Sequence, residues 1–401
     1  MKYLILIGDG MGDYPLAELG GLTPLAAAQT PNLDRLAKEG LVGRVATTPE
    51  GMAPGSDVAI MSLMGYYPKG VLTGRGPLEA AALNVPVNPG DLAFRLNLVT
   101  LELGPETIMR SHSAGDFPSA EARELLTALS EKLPLGQRTL HPGVSYRNLL
   151  VWPKAPTDLP SIPPHDFRDK SIEGFLRDPK LAPLMDLVKL SWPVLTQSPV
   201  NQARVAKGLP PANSIWLWGQ GQVPKIKTYQ ERWGLSGATV SAVDIIRGLG
   251  IYAGLEPIRV AGATGLLDTN YQGKAAAGLA ALETRDLAVV HLEAPDEMSH
   301  QGDLRAKVQA IENFDRFIVG PILAGLPRLG GFRLLAACDH YTPISLRTHA
   351  ADPVPFVLYD SLSPAGSGAQ GYSEKEALAS GLLVQDGPSL GQLLFGPERT
   401  A

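Results

Sequence analysis

The chain has 401 residues, 44% of them hydrophobic and 19% charged, a balance that excludes a largely disordered protein and leaves room for two domains. Lys and Arg total 35 against 40 Asp and Glu, a net charge of -5, which excludes a basic footprint for nucleic acid or for an anionic membrane surface. One cysteine, Cys338, excludes an internal disulfide and any Cys-x-x-Cys motif; with a leading apolar run too short for a signal peptide, it points to the cytoplasm.

Tyr3 to Ile7 is a short apolar run that stops at Gly8-Asp9-Gly10. It reads as a buried parallel strand running into a loop. Thr30-Pro31 opens a helix with leucines at helical spacing, and Thr30 is the expected cap. Pro54-Gly55-Ser56-Asp57 reads as a turn that opens another helix. From about Leu78 to Arg204 the segments shorten, and prolines 153, 156, 160, 163 and 164 crowd one stretch. This middle reads as an inserted domain, residues 78–204, between residues 1–77 and 205–401. The first sheet is expected to resume near Asn213 to Trp218. Leu287 to Leu292 and Phe332 to Ala337 are strand-like, Lys307 to Ile318 is helical, and Val354 to Tyr359 is a last strand. Pro355 places that strand at an edge or marks its start. Strands alternating with helices imply an α/β fold with a parallel sheet covered on both faces.

The polar residues collect where such strands end. Asp9 follows the first strand, Asp296 and His300 follow another, and Asp339-His340 closes a third, with His349 nine residues on. Taken singly, Asp9 is a turn residue and Asp296/His300 an exposed helical ion pair. Together they are six ligands at the edge of a parallel sheet where ligands bind. Carboxylate and imidazole without thiolate suit Mn²⁺, Zn²⁺ or Mg²⁺. Six side chains exceed one four-coordinate site and suit a pair of ions about 4 Å apart, an arrangement that serves phosphoryl chemistry. Ser56 alone reads as a helix cap. Beside two metals it reads as a nucleophile, since a metal lowers the hydroxyl pKa and a helix N-terminus favours a phosphate.

Two nucleotide motifs fail. The third glycine of G-x-G-x-x-G would be residue 13, which is Asp13. Gly273-Lys274 is followed by Ala275, so no phosphate-binding G-x-x-x-x-G-K-[ST] loop exists.

Gly8 to Gly12, Gly55-Ser56-Asp57, Gly74-Arg75-Gly76-Pro77-Leu78-Glu79, Ala294 to His300, and Asp339-His340-Tyr341-Thr342-Pro343 leading to His349 resemble the alkaline phosphatase superfamily. Within it they resemble the archaeal-type branch of the cofactor-independent phosphoglycerate mutases. The resemblance spans nearly the whole chain. It implies an alkaline-phosphatase-like α/β domain with a smaller inserted α/β domain. It implies one metal on Asp296, His300 and His349, and the other on Asp9, Ser56, Asp339 and His340, with Ser56 phosphorylated during turnover. Asp57 is then expected to orient the helix start rather than to bind metal. The inserted domain is expected to bind a small phosphorylated sugar acid. Arg75, Arg95, Arg147, Arg204 and Lys274 stand in motifs that look like substrate contacts, each otherwise an ordinary surface charge, and His112 is a candidate contact or proton donor. The implied reaction interconverts 3-phosphoglycerate and 2-phosphoglycerate.

One departure bears on substrate. Where archaeal relatives carry an Arg-Gly pair, this chain has Trp218-Gly219, and Asn213 to Gly221 resembles a bacterial sub-branch once linked to homoserine phosphorylation. If Trp218 lines the binding cleft, it is expected to favour a less anionic substrate. A homoserine kinase-like phosphotransferase and a metal-dependent phosphomonoesterase remain the alternatives. A binding protein without catalysis is disfavoured by the full set of ligands and nucleophile. Oligomeric state is not legible.

Overall fold

The computed structural model describes residues 1–115 and 118–399. Among these, the chain forms two compact units, Met1–Val71 with the chain from Lys225 onward, and Leu72–Pro224. In chain order, the first unit begins with β1 (Lys2–Gly8) and β2 (Leu41–Val45). The second unit contributes β3 (Leu92–Glu102), β4 (Ile108–Ser111), β5 (Thr139–Val144), β6 (Arg147–Trp152) and β7 (Ser214–Gly221). The first unit resumes with β8 (Gly237–Val240), β9 (Glu256–Ile258), β10 (Leu287–Leu292), β11 (Phe332–Cys338), β12 (Val354–Asp360) and β13 (Leu383–Val384). No helix among the described residues is long and apolar enough to cross a membrane.

The sheet of the first unit has the order β13-β2-β12-β11-β1-β10-β8-β9. β1 lies at its centre, parallel to both β10 and β11. Leu4 to Ile7, Leu287 to Val290 and Leu334 to Ala337 are buried, as continuous apolar runs must be when both faces are covered. Register then decides what meets at the carboxyl edge. Gly8 pairs with Leu292 on one side and with Cys338 on the other, so Asp9 and Asp339 emerge side by side.

Three expectations need correction. Of the two readings of Pro355, the strand start holds and the edge does not: β12 lies between β11 and β2, antiparallel to both. Pro355 is tolerated because it stands second in the strand, where a missing N–H costs least. Thr30 occupies the N-cap position of the helix Pro31–Glu39 without a side-chain cap bond. Asp315 caps that helix instead, accepting from Leu33 N–H at 2.7 Å and Asn32 N–H at 3.2 Å. It does so from the π-helical turn Asp315–Val319 that follows the helix Leu304–Phe314.

The third correction concerns the insertion. Asn213 to Trp218 does not resume the first sheet, because β7 pairs antiparallel with β3. The unit therefore ends at Pro224 and begins at Leu72, wider on both sides than 78–204. Its sheet is wholly antiparallel, with β3 flanked by β6 and β7. Leu92, Phe94, Leu96 and Leu98 join one apolar core with Leu125, Leu129, Leu184 and Val188, residues of the helices Ser119–Lys132 and Ala182–Thr196. Strand side chains alternate between faces, so Ala93, Arg95 and Asn97 point the other way. There Ala93 packs with Ala80 and Leu149, Ala80 lying on the helix Gly76–Ala82.

Candidate active site

Asp9, Asp339 and His340 leave β1 and β11 and are wholly buried. Gly10 N–H donates to Asp339 Oδ1 at 2.9 Å. Gly10 has φ 63°, and a Cβ there would lie 2.7 Å from Asp296, so only glycine lets the loop pass this close. Asp296 and His300 share one face of the helix Ala294–Gln301, with His300 Nε2 at 3.1 Å from Asp296 Oδ2. His349 Nε2 lies 3.1 Å from His300 Nε2 and 3.5 Å from Asp296 Oδ1.

All six expected ligands thus converge. Two triples have ligand atoms within 4.8 Å of one another: Asp9, Asp339 and His340, and Asp296, His340 and His349. His340 belongs to both, and its ring stands 4.1 Å from that of His349. His300 joins the second triple through the contacts just given.

The three imidazoles are oriented alike. His300 Nδ1–H donates to the Arg347 carbonyl at 2.9 Å, and His349 Nδ1–H to the Pro54 carbonyl at 3.3 Å. Thr342 Oγ1 donates to Asp296 Oδ1 at 2.6 Å and accepts from His340 Nδ1–H at 3.1 Å. Each arrangement leaves Nε2 as the ligand atom, as partners on the far ring nitrogen do in metal sites. The carboxylates are charged in excess. Burial pushes the Asp9 carboxyl well above its usual range, and the charges of Asp339, Asp296 and Glu293 push it the same way. Asp9 Oδ1 and Asp339 Oδ2 are buried with no hydrogen-bond partner. A buried, unpartnered carboxylate oxygen is costly, and a cation is the partner this geometry fits. The Asp296 carboxyl is held well below its usual range; burial opposes this, but the hydrogen bonds from His300 and His349 prevail. The hydrogen bond to Asp296 in turn pushes His300 up to about 9, with burial opposing, so at neutral pH a metal would displace a proton there.

Ser56 is the first residue of the helix Ser56–Leu63, and Gly55 holds the N-cap position. Its hydroxyl is therefore not spent on capping. It stands 3.2 Å from His340 Nε2, beside the carboxylate–imidazole cluster. Asp57 follows within the first turn, buried.

Several residues without a sequence motif of their own complete the site. His291 sits in an otherwise apolar strand, the one signal it offered. Its Nε2–H donates to Asp9 Oδ2 at 2.9 Å, while Ser241 donates to its Nδ1 at 2.9 Å. Burial keeps the ring neutral, lowering its pKa to about 3. Thr342, inside the Asp339 to Pro343 motif, links Asp296 to His340 through its hydroxyl. Lys307 and Asp13 form a fully buried ion pair at 2.8 Å. Lys307 also donates to the carbonyls of Gly12 and Thr342, which ties the loops after β1 and β11 together.

The expected substrate residues separate into two kinds. Arg95 on β3 is buried, with Nε 3.1 Å from Glu79 Oε1. Arg75, just before the helix Gly76–Ala82, and Arg147 both lie close enough to depress its pKa, after burial, which is the larger cause. Arg147 stands across from Asn97, and its Nε–H donates to Tyr146 Oη at 3.0 Å. The His112 ring lies 6.2 Å from that of Tyr146. Arg204 departs from expectation. It is buried and donates to the Pro210 carbonyl, to Glu121 Oε2 and to the Ala114 carbonyl, which makes it a brace of its own unit. Lys274 departs too: its ammonium is wholly buried and donates to the His291 carbonyl at 3.2 Å. Burial lowers its pKa to about 8, against the pull of Glu293.

Trp218 also differs from expectation. It does not present a bare indole. It is buried, its Nε1–H donates to Asn97 Oδ1 at 3.1 Å, and the Arg95 guanidinium stacks over its ring at 4.3 Å. The position expected to lack a cation holds one, carried by the neighbouring strand.

Comparison with known proteins agrees with this geometry. The profile of the 2,3-bisphosphoglycerate-independent phosphoglycerate mutase family matches residues 37–201. The mutase of that name from Methanothrix thermoacetophila is 47% identical over 402 residues, covering 98% of this chain and 100% of the relative. Among solved structures, a protein from Pyrococcus horikoshii is 29% identical with a TM-score of 0.80, covering 98% of this chain and 96% of that one. A cofactor-independent phosphoglycerate mutase from Thermoplasma acidophilum is 27% identical with a TM-score of 0.66, covering 98% and 99%. The chain belongs to the 2,3-bisphosphoglycerate-independent phosphoglycerate mutases and is an enzyme of that kind.

Proposed function

We propose that the protein interconverts 3-phosphoglycerate and 2-phosphoglycerate through a phosphoserine on Ser56, as a cytoplasmic enzyme of glycolysis and gluconeogenesis. The observation that carries this reading is the Ser56 hydroxyl, 3.2 Å from His340 Nε2, the same nitrogen that lies 3.4 Å from Asp9 Oδ1 and 3.3 Å from Asp339 Oδ2, two buried oxygens without a hydrogen-bond partner. Asp296, His300 and His349 would hold one divalent ion, and Asp9, Asp339, His340 and Ser56 the other; manganese, zinc and magnesium all suit this donor set. When bound, such ions neutralise charge on a phosphoryl group and make a serine hydroxyl a better nucleophile.

The residues of the chain do the rest. Ser56 Oγ forms the bond to phosphorus as the bond from phosphorus to the donor's ester oxygen breaks, and the serine proton passes in net terms to that oxygen, which leaves as a hydroxyl. The N-terminus of the helix Ser56–Leu63, where Ser56 stands, favours the negative charge of the transferred phosphate. Arg75, Arg95, Arg147 and His112 recognise the anionic sugar acid, arginine being suited to paired hydrogen bonds with carboxylate or phosphate. The other hydroxyl of the retained glycerate then takes the phosphorus back, and Ser56 is released.

Incubation with 3-phosphoglycerate and Mn²⁺, without nucleotide or bisphosphoglycerate, is expected to yield 2-phosphoglycerate with little free phosphate. Release of phosphate in place of isomerisation would mark a phosphomonoesterase. Phosphorylation of homoserine by ATP, without isomerisation, would mark a kinase.

A further inference from the structure

The proline-rich segment after β6 contains one histidine, His165, outside the set of residues placed at the site. Prolines 153, 156, 160, 163 and 164 restrict its backbone. Donors of β7 pin it further. Trp216 Nε1–H donates to the Ile162 carbonyl at 2.8 Å, Gly219 N–H to Ser161 Oγ at 2.7 Å, and the Gln220 amide to the Leu159 carbonyl at 2.5 Å. A connecting loop of this composition would ordinarily tolerate movement. Here three hydrogen bonds and two consecutive prolines, Pro163 and Pro164, determine where the next residue, His165, projects.

It projects onto the cation-bearing face of the sheet. The His165 ring meets Trp218 in a T-shaped contact at 5.5 Å, and Trp218 is the indole over which Arg95 stacks. His112 lies 6.2 Å from it on another side. Register explains the company: Arg95 stands opposite Trp218, and Asn97 opposite Arg147. Yet the His165 side chain remains 53% exposed, with Asp166 Oδ1 no nearer than 3.7 Å to its Nε2. Its pKa is lowered by burial first, and then by the charges of Arg95 and Arg75, with Asp166 opposing. Trp218 thus carries the Arg95 guanidinium over its ring and meets the His165 ring at its side. An accessible imidazole held rigidly beside guanidinium groups gains most from an anion that all of them touch.

We infer that His165 is a binding residue for the phosphorylated hydroxy acid, donating a ring N–H to an anionic oxygen that Arg95 also contacts. The inference rests on the functional reading above and extends its recognition set to the proline-rich strap.

The test is steady-state kinetics of 3-phosphoglycerate isomerisation by the full-length, metal-loaded protein and its His165→Ala and His165→Gln variants, with thermal unfolding run alongside. His165→Ala is expected to raise KM about tenfold or more, the scale of one hydrogen bond to a charged group, while kcat stays within about threefold. His165→Gln, which keeps an N–H donor, is expected to recover part of the loss. The unfolding midpoint should not move, since the side chain is exposed. A wild-type enzyme that isomerises while His165→Ala keeps its KM overturns the inference alone. A fall in kcat at unchanged KM does the same. A wild-type protein that does not isomerise overturns the functional reading, and the inference with it.

Discussion

In the first unit, carboxylates and imidazoles gather where strands end; in the second, arginines and histidines gather about one mid-strand residue, Arg95. Asp9, Asp339 and His340 follow β1 and β11 directly, and a one-residue register relation brings them together. Their hydrogen bonds are numerous, their burial is complete, and two carboxylate oxygens are left over. The second unit collects cations instead. Arg95 is buried beside Glu79 and stacked on Trp218, with Arg75, Arg147, His112 and His165 in its neighbourhood. One constellation gathers carboxylates, and the other gathers arginines. Under the proposed function, this division in a chain of nearly balanced charge separates chemistry from recognition. Donors for a metal need rigid, short side chains, whereas donors for an anion need reach and a platform.

The contrast breaks most sharply at Ser56. Ser56→Ala should lower turnover by about a thousandfold or more. Because Gly55 holds the cap position, stability should change by only about 0.5 kcal/mol. Rate assays and thermal unfolding of the same sample check both halves.

Metal removal comes next. Chelation should destabilise the wild-type protein by roughly 4 kcal/mol if ions were present near a thousandfold above their dissociation constants. Asp9→Asn removes one of the crowded carboxylates. It should abolish turnover, yet leave the metal-free protein about 1–2 kcal/mol more stable than the metal-free wild type. Denaturant titrations with and without chelator separate these effects. A metal-free Asp9→Asn protein less stable than its parent would refute the charge surplus.

Lys274 sharpens the comparison, because it is a buried cation in the unit that is otherwise rich in acids. Its pKa is lowered from 10.5 to about 8, so between those values the unfolded chain binds the extra proton. Stability from this group therefore rises as pH climbs from about 8 to 10.5, by at most about 3 kcal/mol. Below pH 8 the buried ammonium costs that amount. Unfolding free energies of the metal-free protein across this range, compared with those of Lys274→Met, should show the rise only in the wild type.

The smallest effect is expected at the platform in the second unit. Trp218→Phe keeps an aromatic face under Arg95 but loses the bond to Asn97, whereas Trp218→Leu loses both. The Leu variant should show a KM several-fold above that of the Phe variant, the scale of a cation–π contact of about 0.5–2 kcal/mol. Equal KM values would mean that Arg95 does not depend on the ring.

The strand-end residues were legible because each lies in a short motif after an apolar run, and the parallel sheet does the assembly. Asp9, Asp296, His300, Asp339, His340 and His349 were all named from that pattern. His291 was hidden because it lies inside its strand, where burial erases any distinction from its apolar neighbours. Arg204 and Lys274 show the limit in the other direction. An arginine or lysine in a suitable motif reads as a contact, but only packing shows that Arg204 donates to Pro210, Glu121 and Ala114, and Lys274 to the main chain of β10.

By itself the sequence determined the α/β grammar of the first unit, the metal-type donor set and the serine beside it. These depend on local runs, caps and spacing, which neighbouring residues control. The tertiary structure alone decided that β7 pairs with β3, that Trp218 carries Arg95, and that the proline-rich strap delivers His165 to them. Antiparallel pairing joins residues more than a hundred positions apart. No local propensity encodes such a partner, because it is selected by register and by burial on both faces of a completed sheet.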